Sequence, residues 1–236
     1  MDVVFLGIND VGMRIYEWLC DRQNVSVLSL VTTKEQLELV EQLQPDLVVS
    51  VGYDHLVPDS ILSIPSKGCL NMHPGYLPHN RGKSGNVWPL VEGTPAGVTL
   101  HYMDAEFDTG EIIAQRTVET DFTDTGKTLH RRMERAQFEL FTEVWPDIVD
   151  GSIEATPQSA AAGSYHSIDD FRSLCEIDPE ATYEAKELLD ILRALTFPPF
   201  DNAHLEVDGE TYYVDVEIRR ADESDSETPE GLLTSY

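Results

Sequence analysis

Three apolar runs, DVVFLG (2–7), VSVLSLV (25–31) and LVVSVG (47–52), open the chain, and two stretches of helical period separate them. The first stretch, GMRIYEWLCD, repeats apolar residues at Met13, Tyr16 and Leu19, and Asn9 or Asp10 stands ready to cap it. The second, KEQLELVEQLQ (34–44), is amphipathic and is stopped by Pro45 and Asp46. A run such as LVVSVG offers water no polar face, so it belongs in a parallel sheet covered on both sides. Strand–helix–strand–helix–strand then requires right-handed crossovers and an α/β architecture.

Downstream, CLNMHP (69–74) reads as a fourth strand running into GYLPHNRGKSGN (75–86), a loop dense in turn formers and polar groups. VWPLVEG (87–93) fits a short helix, and GVTLHYMD (97–104) and EIIAQRTVE (111–119) alternate as strands around the turn AEFDTG. A long helix is expected from Thr125 to Asp150, its apolar face formed by Leu129, Met133, Ala136, Phe138, Leu140, Phe141, Val144 and Ile148. The expected organisation is a catalytic unit over 1–154, a linker over 155–165, a small subdomain over 166–220 and a disordered acidic tail over 221–236. The small subdomain is read as a helix over 180–195, a Pro-locked LTFPPF segment, and a β-hairpin over 203–218 turning at Asp208-Gly209. The fold class is therefore α/β: a Rossmann-like, mostly parallel sheet flanked by helices, with a C-terminal helix plus β-hairpin.

Charge narrows the function. The 236 residues carry 43 Asp and Glu against 16 Lys and Arg, a formal net charge of −27. Polyanion binding needs clustered cations, so nucleic acid is disfavoured, whereas one small phosphorylated ligand held by a placed cation is not. Five lysines in an acidic surface suit a cytosol of high salt. Three widely spaced cysteines, Cys20, Cys69 and Cys175, suit free thiols in a reducing cytoplasm. No run reaches the ~18 apolar residues of a membrane span, and the N-terminus lacks a secretory pattern.

The densest chemistry lies in NMHPGYLPHNRGK (71–83) and DAEFDTGE (104–111). Asn71 and His73, two apart on a strand, project to one face near its carboxyl end, where open α/β sheets bind ligands. Asp108, in a turn between two strands, can reach them. An amide, an imidazole and a carboxylate together suggest an oxyanion donor, a base and an orienting acid; the plainer alternative is that Asn71 and His73 satisfy loop backbone. No side-chain nucleophile is evident. A metal site from Cys69, His73 and His79 lacks a fourth ligand and matches no zinc spacing. GINDVG sits where a dinucleotide fingerprint would, without its G-x-G-x-x-G spacing.

NMHPGYLPHNRGK with DTGEIIAQ resembles the N10-formyltetrahydrofolate-dependent formyltransferase family, and the longer segments with LRALTFPPF are most similar to its sugar N-formyltransferases. The resemblance covers roughly residues 1–150 and implies the formyltransferase fold. It implies transfer of a formyl group from 10-formyltetrahydrofolate, without a metal, to the amine of a nucleotide-linked amino sugar. Asn71, His73 and Asp108 would be catalytic. Asp54, His55, Leu56, Gly75, Tyr76, Leu77, Pro78, Asp104 and Gly110 would bind the folate. Arg81 and Lys83 would meet the pyrophosphate, and Phe197 with Tyr212 would stack on the base; the last two could equally be the hairpin's own core. A methionyl-tRNA formyltransferase is the second enzymatic reading, disfavoured by the acidic C-terminal region, and a non-catalytic folate or nucleotide-sugar sensor is the third. Relatives carry a longer insert between the second and third strands than the fifteen residues present here. The hairpin edge also offers a surface for a homodimer.

Overall fold

The computed structural model describes residues 1–7, 9–159 and 163–221. Its centre is a six-stranded sheet built from β1 (Asp2–Leu6), β2 (Ser26–Val31), β3 (Leu47–Ser50), β4 (Cys69–His73), β6 (Gly97–Tyr102) and β7 (Ile112–Thr117). The strand order is β2-β1-β3-β4-β6-β7. The first four pair in parallel, and β6 and β7 add antiparallel. Every residue of β3 is buried, as its unbroken apolar sequence requires.

Two hydrophobic layers cover the sheet. On one face, α1 (Asp10–Cys20) turns in Val11, Ile15 and Leu19, and α5 (Gly126–Asp150) turns in Leu129, Met133, Ala136, Leu140, Phe141, Trp145 and Ile148. Phe138 and Val144, on the expected stripe, stay half-buried at its margin. On the other face, Val40, Val57 and Ile61 pack over Val4, Leu6 and Val48. They come from the short α2 (Glu38–Leu43), the segment after β3, and α3 (Asp59–Leu62). The expected helix over 34–44 is thus a 3-10 turn followed by less than two α-helical turns. Asn9 caps α1 by accepting from the Gly12 N–H at 2.8 Å, and Thr125 caps α5 in a capping box with Thr128.

The described residues of the segment read as a linker, 155–159 and 163–165, are docked. Thr156 exchanges backbone hydrogen bonds with Ile112, and β8 (Tyr165–His166) pairs in parallel with β5 (Arg81–Gly82). Its small polar composition resembled a tether, but those residues supply hydrogen bonds to β7 and to the 75–86 loop. Beyond it, the capped helix α6 (Ile168–Cys175), absent from the sequence reading, precedes α7 (Ala185–Leu195). The α7 helix packs against α5 and the short α4 (Trp88–Glu92). The hairpin β9 (His204–Val207) and β10 (Glu210–Tyr213) turns at Asp208-Gly209, both left-handed, and is shorter than the expected 203–218. The tail over 221–236 lies, except for Ala221, outside the described residues.

Candidate active site

A cleft of about 390 Å³ opens at the carboxyl ends of β1, β3 and β4. Because β2 and β3 lie on opposite sides of β1, connections diverge there and leave a crevice, the position where open α/β sheets hold ligands. Gly7, just before it, has φ +98°, and a side chain there would strike the Val51 carbonyl. Gly7 and Gly12 of GINDVG therefore serve close packing of the end of β1 and the start of α1 against the end of β3.

Alternation along β4 sends Cys69, Asn71 and His73 to one face. The antiparallel register sets Asn71 opposite His101 and His73 opposite Thr99, so β6 furnishes the neighbouring side chains. Asp108 comes from the turn between β6 and β7, in a left-handed conformation at φ +57°. Asp104 organises that turn by accepting from Thr109 Oγ1 at 2.6 Å and the Glu106 N–H at 3.2 Å. Asp108 Oδ2 accepts from the Gly82 N–H at 2.9 Å, and its Oδ1 lies 3.4 Å from His73 Nδ1 and 3.6 Å from His101 Nε2. Asn71 Nδ2 lies 3.4 Å from that oxygen and 3.2 Å from His101 Nε2. Gln158, from the docked segment, donates to the carbonyls of Asp108 at 3.0 Å and Gly110 at 2.7 Å.

Burial sets the protonation states. His73 is 3% exposed, and desolvation lowers its pKa, with Asp108 pulling the other way, so the ring is neutral at neutral pH. Burial pushes the Asp108 carboxyl up, but His73, His101 and the Gly82 N–H together outweigh it and hold it well below the usual carboxylate range. Cys69 packs under Asn71 with its thiol pushed up to about 12 by burial, which makes it a poor nucleophile. The site offers a neutral imidazole, an ionised carboxylate and an amide donor: proton transfer beside oxyanion stabilisation.

Residues 19–145 match the formyl transferase family, and residues 170–220 match the N-formyltransferase dimerization C-terminal domain. The chain belongs to the formyl transferase family. It is 33% identical over 187 residues to a GDP-perosamine N-formyltransferase of Brucella melitensis, covering 77% of this chain and 69% of that protein. It superposes on a sugar N-formyltransferase from a Shewanella species with TM-score 0.84 at 25% identity, over 93% of this chain and 98% of that one. A formyltransferase from Anoxybacillus kamchatkensis is 30% identical, with TM-score 0.63 over 73% and 89% of the two chains. That enzyme was crystallised with UDP-4,6-dideoxy-4-formamido-L-AltNAc and tetrahydrofolate.

In this formyl transferase, Asn71, His73 and Asp108 converge, and Asp54, His55, Leu56, Lys83 and Asp104 line the same cleft. Gly75, Tyr76, Leu77 and Pro78 do not line it. Thr99 Oγ1 donates to the Gly75 carbonyl at 2.7 Å and accepts from the Leu77 N–H at 3.1 Å, which turns this loop back beneath the site. Gly110 is there for packing, because a side chain would strike the Tyr102 carbonyl. Arg81 lies outside the lining, half-buried, with its Nε unpartnered among the described residues. Phe197 and Tyr212 also lie outside it. Phe197 packs on the rings of His130 and Phe200, and Tyr212 donates to Glu210 from the exposed hairpin. His101, Gln158 and Tyr165 also line or support the cleft, and the sequence marks them weakly or not at all. The alternation Thr99–His101 in an otherwise apolar strand was the available signal for the first; nothing local marked the other two.

Proposed function

We propose that this enzyme transfers the formyl group of 10-formyltetrahydrofolate to the amino group of a nucleotide-linked amino-deoxy sugar by direct attack. The observation that carries this reading is the convergence of neutral His73, ionised Asp108 and the Asn71 amide in one cleft, in a chain similar to sugar N-formyltransferases. The amine nitrogen attacks the formyl carbon. As that C–N bond forms, the nitrogen's proton passes to His73 and the carbonyl oxygen becomes an oxyanion that Asn71 Nδ2 stabilises. The bond to N10 then breaks, and N10 leaves with a proton returned through His73 and Asp108. Asn71 is held at 3.4 Å from Asp108, a weak contact that it can give up to the developing oxyanion.

The cleft suits both substrates. Leu56 and Phe107, 44% and 45% exposed on facing loops, present apolar surface to a flat ring system such as the pterin. Lys83 is the cation that lines the cleft and is paired with Asp54 at 2.5 Å. Both groups are exposed, so that pair is worth about 0–1 kcal/mol, and a diphosphate can replace Asp54. Tyr165, half-exposed on the cleft wall, replaces Phe197 and Tyr212 as the surface for the nucleotide base. The enzyme works in the cytoplasm as a homodimer, a reading supported by its free cysteines and by its similarity to the dimerization domain.

The test is tetrahydrofolate release from 10-formyltetrahydrofolate with a panel of nucleotide-linked amino sugars or with charged initiator tRNA, at high salt. Turnover with sugars alone is expected. Turnover with tRNA alone overturns the sugar reading, and ligand binding without turnover favours a sensor. His73→Ala is expected to abolish transfer while nucleotide-sugar affinity stays within about twofold; normal activity in that variant removes His73 as the base.

A further inference from the structure

His73 meets the protein at both ring nitrogens, and the two contacts differ in kind. Nε2 lies 3.1 Å from the carbonyl oxygen of Asn80, a pure acceptor. A neutral imidazole can make that hydrogen bond only with its proton on Nε2. Nδ1 then carries a lone pair, 3.4 Å from the Asp108 carboxylate, which also lacks a proton to give. Two acceptors face each other across a gap, an arrangement that becomes favourable when a proton arrives on Nδ1.

The carbonyl is aimed with care. Asn80 is fully buried and adopts a left-handed backbone at φ +57°, a conformation asparagine tolerates better than most residues. Its amide donates to Thr94 Oγ1 at 3.0 Å, and its N–H donates to Ser164 Oγ at 2.9 Å. Gly75 keeps the space beside this contact clear. A Cβ there would sit 2.6 Å from His73 Nε2.

We propose that Asn80 is a positioning residue for the base: its carbonyl, held by Thr94 and by Ser164 of the docked segment, keeps the His73 proton on Nε2 and leaves Nδ1 as the atom that accepts the substrate proton. The inference rests on the function proposed above, since it names the basic atom of that reaction. It also gives Gln158 and Ser164 a role: Ser164 fixes the backstop of His73 while Gln158 fixes the turn that carries Asp108.

Long-range proton–nitrogen correlation spectra of the full-length protein, labelled with ¹⁵N-histidine, read the tautomer directly, with His73 assigned by the signal lost in His73→Gln. A protonated Nε2 and a bare Nδ1 are expected; a proton on Nδ1 overturns the proposal. This readout does not need turnover, so a failure of formyl transfer would sink the proposed function without being mistaken for a failure here. Asn80→Ala is expected to lower kcat ~10- to 100-fold with KM for both substrates nearly unchanged, and to mix the His73 tautomers. Asn80→Gly, which accepts the left-handed turn, should recover part of that loss. Should Asn80→Ala fail to fold, Thr94→Val and Ser164→Ala loosen the same carbonyl from outside and must show the same kcat loss and mixed tautomer. Wild-type kcat and unchanged His73 signals in these folded variants would overturn the positioning role.

Discussion

At the scale of single residues, this site works by withholding water. Burial disfavours the imidazolium of His73, so the base we propose titrates below its ordinary value of 6.5. The base must be neutral to act, so kcat/KM should be flat through neutral pH and fall on the acid side with a midpoint below 6.5. Asp108 is the carboxylate that raises this pKa, so Asp108→Asn should move the limb further to acid as well as slow the reaction. A pH–rate profile of each protein checks both signs, and a limb at or above the ordinary value would contradict the burial argument. Folding follows the same linkage. Between the depressed value and 6.5 the unfolded chain binds more protons at this residue, so stability declines as pH is lowered through that window. Asn71 supplies a separate test of oxyanion stabilisation. Asn71→Ala should cost about 10²–10³ in kcat, or ~2.7–4 kcal/mol, with little change in folate binding.

At the scale of elements, the parts legible in the sequence are those whose pattern follows from local burial. β3 is continuously apolar because both its faces are covered, and α5 shows its stripe because it lies across β6 and β7. Asn71 and His73 could be placed on one face because the period of a strand is two. The docked segment was illegible for the opposite reason. Thr156 acts through its backbone, and Gln158 and Ser164 through side-chain hydrogen bonds, all to residues distant in sequence, and a polar side chain that binds a remote partner looks the same as one that binds water. Helix α6 is faint in the sequence because its eight residues bury only Cys175 fully, which leaves little periodicity. The hairpin is legible in Asp208-Gly209, but any role in assembly would rest on its surface. A two-stranded hairpin is marginal alone in water, and this one exposes Val207, Tyr212 and Tyr213. A second copy burying that patch is the reading supported by the similarity of residues 170–220 to a dimerization domain. Light scattering should therefore report a dimer of 26.5 kDa chains, and Tyr213→Asp should shift it toward monomer. A wild-type monomer at micromolar concentration would exclude the hairpin as a dimer surface.

At the scale of the whole molecule, the charge of −27 and the placement of the few cations belong to one argument. Lys67 bonds the carbonyls of Ile148 and Val149 near the end of α5, Lys127 that of Pro198, Lys186 the carboxylate of Asp190, and Lys83 that of Asp54. Arg193, almost fully buried, joins Asp190 to the carbonyls of Asp121 and Asp124 and so ties α7 to the start of α5. With Arg193 and four of the five lysines held in such ties, the acidic surplus is left to repel itself, and added salt acts on the two populations in opposite directions. It weakens exposed ion pairs, worth about 0–1 kcal/mol each, and leaves buried ties such as Arg193 nearly untouched. It also screens the long-range repulsion, since the Debye length falls from ~8 Å at 0.15 M to ~3 Å at 1 M. The surplus of 27 acids outweighs so few exposed pairs, so the second effect should win. The melting temperature should rise steadily as KCl is taken from ~0.1 M to above 1 M, by about 2–4 °C for each kcal/mol of repulsion removed. NaCl at equal ionic strength should act alike, because screening depends on charge rather than on the ion's identity. A melting temperature that is flat or falls across that range would show that the acids are already balanced in the fold, and would remove high salt as the condition to which this surface is matched.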